Sequence, residues 1–445
     1  MLGHSCGFHR HMEPEVNDGC CPEHGAPGGG DCGAGRANAG PGDCPLAWFA
    51  GMVGHCKAHA LAARAAGRPI VGIMCEYAPR ELIFAAGAVP VCLCGGDPDT
   101  IPSAEAHLPT NLCPLIKSTY GYLVEKANPF LEMADLVVAE TTCDGKKKMF
   151  ELMAEARATY ILALPHREDD PSGLESWVEE LRRFKVFLEN RYGVSITPAR
   201  LREAIELMNR ERRLRRELAG LMKMEEPPLT GRQLLDLKSI ISGIPDDLAQ
   251  YERALALWKP RGCSRSTARD GQGQSPEHAA AQQRPVRVML TGVPLVHGAE
   301  RVIEIIEANG GLVVCQENCT GLKPILEDVP TDAPDLIRAL GEKYYHLPCS
   351  VRTPNRRRLA LLAQLAAEYS AECVIELIWQ ACLTYAVESF HVRRMAENEL
   401  GLPYLKIETD YSPADSARIA TRVAALVETV RARTARSHKR PPSCG

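Results

Sequence analysis

Continuous apolar runs and helical spacing alternate along most of the chain. Runs at 69–74, 89–93, 136–139 and 159–165 are each followed by polar turns and then by apolar residues three and four apart. The order recurs in the second half, with a run at 286–296, Val313 and Val314, a run at 374–379, and PYLKIETD. A strand buried on both faces reads as an unbroken apolar run, and strands alternating with helices indicate a parallel sheet covered on both sides. The pattern therefore predicts an α/β protein with two doubly wound, Rossmann-like lobes, each with a parallel sheet and related to the other by an internal repeat.

The expected boundaries follow from where that pattern starts and stops. Residues 61–172 form the first α/β domain and 286–431 the second. Between them, 173–260 is helical and heavily charged, as in WVEELRRFKVFLENRYG and ARLREAIELMNRERRLRRELAGLMK. Such a segment is a solvated or packing arm that bridges or flanks the lobes. Residues 1–60 are rich in Gly, Pro, Cys and His with little periodicity and are expected to be a flexible extension. Residues 261–285 read as a flexible linker and 432–445 as a disordered basic tail.

Composition narrows the function classes. A chain of 445 residues, 45% of them hydrophobic, has enough core for two domains. A formal charge of −4 gives no overall basic field, which argues against nucleic acid as the partner. No apolar run approaches the ~18 residues of a membrane span, and MLGHSCGFHRHME lacks the apolar core of a secretory signal, so a cytoplasmic protein is expected. No phosphate-cradling glycine-rich loop is evident.

The anomaly is 18 cysteines. Cytosolic thiols stay reduced, so ligation of a metal or cluster accounts for them better than disulfides do. Position separates the candidates. The stretches ADLVVAETTCDGKKKMFE and AECVIELIWQACLTYAVE both run strand, cysteine, helix, with Cys143 in the first and Cys382 in the second. Cys113 precedes a helix in the first half and Cys349 in the second, and Cys75 ends an early strand. Either Cys319 or Cys315 supplies the sixth position. Ligands in open α/β sheets gather beyond the carboxyl ends of the strands, so six thiols would line a cleft between facing lobes. Zinc favours closed tetrahedral sets, often with paired CxxC spacing, which is absent. Three thiols per iron–sulfur cubane, with one iron open, fits the count better. Cys92 and Cys94 alternate with apolar strand residues and read as packing, and Cys263 in the linker as incidental. Cys6, Cys20, Cys21, Cys32, Cys44 and Cys56, with several histidines of the extension, could bind zinc or iron, but no CxxC pair is followed by another, so they also read as a flexible extension that picks up metal loosely.

Five segments, MCEYAPRELIFAAGAVPV, NLCPLIKSTYG, TTCDGKKKMFE, IELIWQACLTYAVESF and LGLPYLKIETDYS, resemble signature segments of the 2-hydroxyacyl-CoA dehydratase and benzoyl-CoA reductase family. The resemblance spans residues 69–430 and is strongest to its double-cubane cluster branch. It implies a cluster of two 4Fe-4S cubanes bridged by one sulfide (8Fe-9S), held by Cys75, Cys113, Cys143, Cys319, Cys349 and Cys382. It further implies a homodimer that reduces a small-molecule substrate, with electrons from a separate ATP-hydrolysing 4Fe-4S activator protein. One alternative is a 2-hydroxyacyl-CoA dehydratase subunit with a single 4Fe-4S cluster on Cys75, Cys113 and Cys382. Another is a non-catalytic electron-transfer or cluster-storage protein. Glu76, Asp144, Lys146, Lys147, Glu317, Glu376 and His346 are candidates to supply protons or hydrogen-bond the cluster.

Overall fold

The computed structural model describes residues 44–259 and 284–438. The extension before residue 44, the linker at 260–283 and the tail from 439 lie outside the described residues. Helices α1 (Pro45–Ala50) and α2 (Met52–Ala65) lead into β1 (Ile70–Ile73), α3 (Arg80–Ala85), β2 (Val89–Cys92), α4 (Ile101–Ala104), α5 (Pro114–Glu125), α6 (Pro129–Met133), β3 (Leu136–Glu140), α7 (Asp144–Ala156) and β4 (Thr159–Leu162). The middle holds α8 (Pro171–Tyr192), α9 (Pro198–Gly220), α10 (Gly231–Asp236) and α11 (Pro245–Trp258). The second lobe runs β5 (Val286–Gly292), α12 (Arg301–Ala308), β6 (Gly311–Glu317), α13 (Leu336–Tyr345), α14 (Arg356–Glu368), β7 (Cys373–Trp379), α15 (Leu383–Arg394), β8 (Tyr404–Thr409) and α16 (Ser416–His438).

Each lobe has one four-stranded parallel sheet, ordered β2-β1-β3-β4 and β6-β5-β7-β8. The strand order is the same in both, so the internal repeat is present as topology. Strands β1, β3, β5 and β7 are buried at every position, the environment that unbroken apolar runs require. In both lobes the chain steps from its first strand to one side and then crosses to the other. Each sheet therefore has a switch point, between β1 and β3 and between β5 and β7, where a crevice opens at the carboxyl edge.

The charged segment bridges the lobes. Helix α8 buries Trp177, Val178, Leu181, Phe184 and Leu188 along one face. It packs so closely on α13 that a Cβ on Gly341 would lie 2.5 Å from a Val178 methyl. Helix α9 packs on α3 of the first lobe and sends Arg212 into a buried cluster. There Arg212 pairs with Glu81 and donates to the Tyr344 hydroxyl at 3.2 Å, while Tyr344 donates to Glu81 at 2.8 Å. One residue comes from each lobe and one from the arm. The lobes also meet directly, because a Cβ on Gly96 would lie 2.1 Å from the His297 carbonyl oxygen.

Two expectations change. Residues 44–60 are folded, not flexible: α2 buries Met52, Cys56 and Ala60, and Phe49 stacks on Tyr251 at a ring separation of 4.8 Å. The buried face of α2 is built of small residues interrupted by histidines, so its apolar periodicity is weak. At the other end α16 continues to His438, overlapping the expected tail. Its Ile419, Val423, Leu426, Val427 and Val430 pack on the lobe, and the Ala- and Arg-rich sequence beyond them favours continuing the helix. Among the described residues, no helix is long and apolar enough to cross a membrane.

Candidate metal centre

The six cysteines lie at the carboxyl edges of the two sheets or in the loops beside them. Cys75 follows β1 by two residues and Cys319 follows β6 by two. Cys113, Cys143 and Cys382 are the N-caps of α5, α7 and α15, and Cys349 lies in the loop between α13 and α14. Their backbone carbonyls close the first helical turns, accepting from Lys117 at 3.1 Å, Lys147 at 3.0 Å and Ala386 at 3.0 Å respectively. This places three side chains at the positive ends of helix dipoles, where a thiolate is favoured. All six thiols are free.

The thiols fall into two neighbouring groups. Cys113 and Cys382 act on one another, which holds the Cys113 thiol down and pushes Cys382 up. Cys143 stands beside them: burial raises its thiol, and the charges of Cys382 and Cys349 add to that. Burial also raises Cys75, with Cys319 and Cys349 among the groups acting on it. Cys319 is pushed up to about 12 by burial, again with Cys349 beside it. One group is thus Cys75, Cys319 and Cys349, and the other is Cys113, Cys143 and Cys382. Each draws on both lobes, and Cys143 connects them through Cys349. The thiols of Cys75, Cys143, Cys319 and Cys382, pushed up by burial and by neighbouring thiols, would be relieved by a bound metal cation, which holds thiolates deprotonated.

Two buried lysines flank the thiols, one per lobe. Lys146 Nζ donates to the Met74 carbonyl at 3.0 Å and to Glu140 at 3.3 Å. Burial alone would lower its affinity for a proton, but Glu140 and the thiols of Cys75, Cys94 and Cys143 raise it well above the ordinary lysine value. Lys323 mirrors it, donating to the Tyr385 hydroxyl at 3.0 Å and lying 3.4 Å from Glu317, with Cys319 and Cys349 in its field. Burial would raise Glu317, yet Arg358 and Lys323 hold its carboxyl below the usual value. Both lysines stay charged and compensate anionic charge placed between the lobes.

Cys315 sits in the core of the second lobe, 1% exposed, and none of the other thiols is among the groups acting on it. Cys94 packs against the core, as its alternation predicted. It lies two residues past β2, as Cys319 lies two past the equivalent strand β6, and it donates to the Met74 carbonyl at 3.3 Å. A hydrogen bond with Cys94 pulls Cys92 down to about 7.

The other polar candidates are dispersed. Asp144 and Lys147 form an i,i+3 pair at 2.7 Å in which Asp144 is 94% exposed, and Glu76 pairs with Arg80 at 2.8 Å. His346 lines a cavity of about 240 Å³ with Lys323, Lys343 and Arg357, beside Pro348 and hence next to Cys349 in the chain. Burial pushes Lys343 down to about 7. Glu376 is buried in β7, accepts from the Tyr404 hydroxyl at 2.6 Å and is raised by burial from 4.5 to about 7. Between those two values the folded state holds a proton that the unfolded state has released, so this group makes stability fall as pH rises through that window. A Glu376→Gln variant is expected to remove a fall on the order of 2 kcal/mol between pH ~5 and ~8. Urea titrations of both proteins at the two pH values measure it, and parallel pH profiles would contradict it.

The sequence is similar to known proteins along most of its length. A family model described as 2-hydroxyglutaryl-CoA dehydratase, D-component, matches residues 75–430. YjiM of Escherichia coli (strain K12), provisionally named a dehydratase subunit, is 40% identical over 81% of this chain and 91% of its own. The (R)-phenyllactyl-CoA dehydratase beta subunit of Clostridium sporogenes is 22% identical over 82% of this chain and 92% of its own. One of the subunits of benzoyl-CoA reductase from Thauera aromatica is 28% identical over 36% of this chain and 41% of its own.

Proposed function

The chain belongs to the 2-hydroxyglutaryl-CoA dehydratase D-component family, and from that premise we propose that it is an iron–sulfur reductase with an 8Fe-9S double-cubane cluster between its lobes. The observation that carries the reading is the placement of six free cysteines at or beside the carboxyl edges of both sheets, with thiols from the two lobes acting on one another. Cys75, Cys319 and Cys349 would hold one cubane, and Cys113, Cys143 and Cys382 the other. An all-sulfur donor set suits iron–sulfur clusters, and three thiols per cubane leave one iron of each for a ligand the protein does not supply. The cluster, when bound, supplies low-potential electrons received from an ATP-hydrolysing 4Fe-4S activator protein to a small molecule in the cleft.

The protein's own groups set the conditions for that chemistry. The N-terminal dipoles of α5, α7 and α15 and the ammonium groups of Lys146 and Lys323 offset the charge of six thiolates. Cys113 and Cys349 are buried and the other four half-buried, and each group of ligands is complete only when the lobes are together. A single-cubane dehydratase subunit is the second reading, supported by the relatives named as dehydratase subunits. It would draw Cys113 and Cys382 from one group and Cys75 from the other.

The reductase reading is tested by turnover. Anaerobically purified full-length protein, mixed with reduced activator and ATP, is expected to reduce small unsaturated or oxidised molecules, and to stop when ATP is withheld. Cluster-loaded protein that accepts electrons but reduces nothing across such a panel would contradict the reductase and support an electron store.

The homodimer has a surface to form on. Leu383, Val387 and Phe390 lie on one face of α15, at i, i+4 and i+7, and are 74%, 74% and 65% exposed. Pairing through this face would cover apolar surface that begins one residue after Cys382. Light scattering is expected to give a dimer for the native chain and a monomer for a Val387→Asp/Phe390→Asp variant. A native chain that is monomeric at micromolar concentration would contradict the pairing.

A further inference from the structure

We propose that His55, Cys56 and Asp247 form a second metal site, separate from the six-thiol centre, for a borderline divalent cation such as Zn²⁺ that fastens the N-terminal helix to the bridging arm. The first two residues lie on α2 and the third in the first turn of α11. One nitrogen, one sulfur and one oxygen from these side chains all lie within 4.8 Å of one another. A cation bound at about 2.0–2.3 Å to each holds its ligand atoms roughly 3.5 Å apart, so binding would draw the widest-spaced of these side chains together by about 1 Å, within reach of rotamer adjustment.

The surroundings are those of a prepared site. Cys56 and Asp247 are 0% and 2% exposed. Asp247 Oδ2 has no hydrogen-bond partner among the described residues, although its carboxylate is buried. The other oxygen, Oδ1, accepts from Trp48 Nε1 at 2.8 Å and stands 3.1 Å from His55 Nε2. The indole thus orients the carboxylate as an outer-shell partner does. The His55 ring is stacked on Trp48 at 4.7 Å, with Phe49 edge-on at 6.3 Å, which limits its rotation. Cys56 Sγ lies 3.1 Å from the Ser239 hydroxyl, a partner able to donate to a thiolate.

An ion pair between His55 and Asp247 would explain one carboxylate oxygen only. It leaves Oδ2 unpaired and a buried thiol against a carboxylate, an arrangement that disfavours the thiolate. A divalent cation satisfies all three groups together, since it takes a deprotonated sulfur, a neutral imidazole and a carboxylate at once. A water is the expected fourth ligand. Because the ligands come from α2 and α11, the ion would close a long stretch of chain that includes the whole first lobe.

The test uses the full-length, anaerobically purified protein, passed over chelating resin and then exposed to equimolar Zn²⁺, with zinc and iron measured on the same sample. The native chain is expected to keep one zinc besides its iron. Cys56→Ser and Asp247→Asn are each expected to lose the zinc with iron unchanged. Co²⁺ in place of Zn²⁺ is expected to give thiolate-to-cobalt charge-transfer absorption that Cys56→Ser abolishes. His55→Gln, which keeps both buried anionic ligands, is expected to weaken zinc binding while unfolding at the native urea midpoint in chelator, so it serves if the other variants fold poorly. A native chain that retains no zinc overturns the site. So does zinc that stays at the native level in all three variants, which would place the ion on other residues.

Discussion

A Cys143→Ala protein, purified without oxygen, is expected to lose at least about four of its irons, one cubane's worth. Cys143 caps α7 and is acted on by Cys382 of its own group and Cys349 of the other. Removing it takes away one of three thiols holding one cubane and opens the junction between both. The residue also discriminates between the two cluster readings, because the single-cubane arrangement uses Cys75, Cys113 and Cys382 and has no use for Cys143 or Cys349. Cys349→Ala is expected to behave likewise and to abolish ATP-driven reduction, while Cys92→Ala, Cys263→Ala and Cys444→Ala keep native iron. If Cys143→Ala and Cys349→Ala both kept full iron and the native spectrum, the single-cubane reading would replace the double cluster.

The largest expected loss of stability is at Arg212→Met. Glu81 is fully buried; burial would raise its carboxyl, and Arg212 holds it below the usual value. Without the guanidinium, a buried carboxylate loses its paired charge and keeps the Tyr344 hydroxyl and the field of Lys343, and the arm loses a polar tie that reaches both lobes. Breaking a buried pair from one side costs about 3–5 kcal/mol, whereas replacing both partners with apolar groups is far less costly. Anaerobic urea unfolding is expected to show that loss for Arg212→Met and substantial recovery in Arg212→Met/Glu81→Leu. A single variant within about 1 kcal/mol of the native chain would mean that the cluster does not hold the lobes together.

What the sequence discloses depends on how local the cause is. The strands were legible because burial on both faces leaves no polar position, as in LVVAE and CVIELIW, and the repeat was legible because both halves place a cysteine at the same turn. The folded start of the chain was not, since α2 is held by Cys56, Ala60 and neighbours in the arm that no periodicity reveals. The six positions at strand ends and helix starts were legible, but which of them neighbour one another was not. Whether Cys75 meets Cys113 or Cys319 depends on how the lobes are turned against each other, and that is set by distant contacts such as Gly96 against His297 and Arg212 between Glu81 and Tyr344. Cys315 and Cys319 illustrate the same limit. Four residues apart in the chain, one is part of a buried strand and the other lies past its end, beside Cys349.

Iron and acid-labile sulfide per chain, measured on the anaerobically purified native protein, bear most directly on the cluster. The two-group arrangement predicts about eight irons and about nine sulfides, twice the iron of one 4Fe-4S cubane and one extra bridging sulfide. About four of each, with Cys143 and Cys349 open to thiol alkylation in the folded protein, would contradict it.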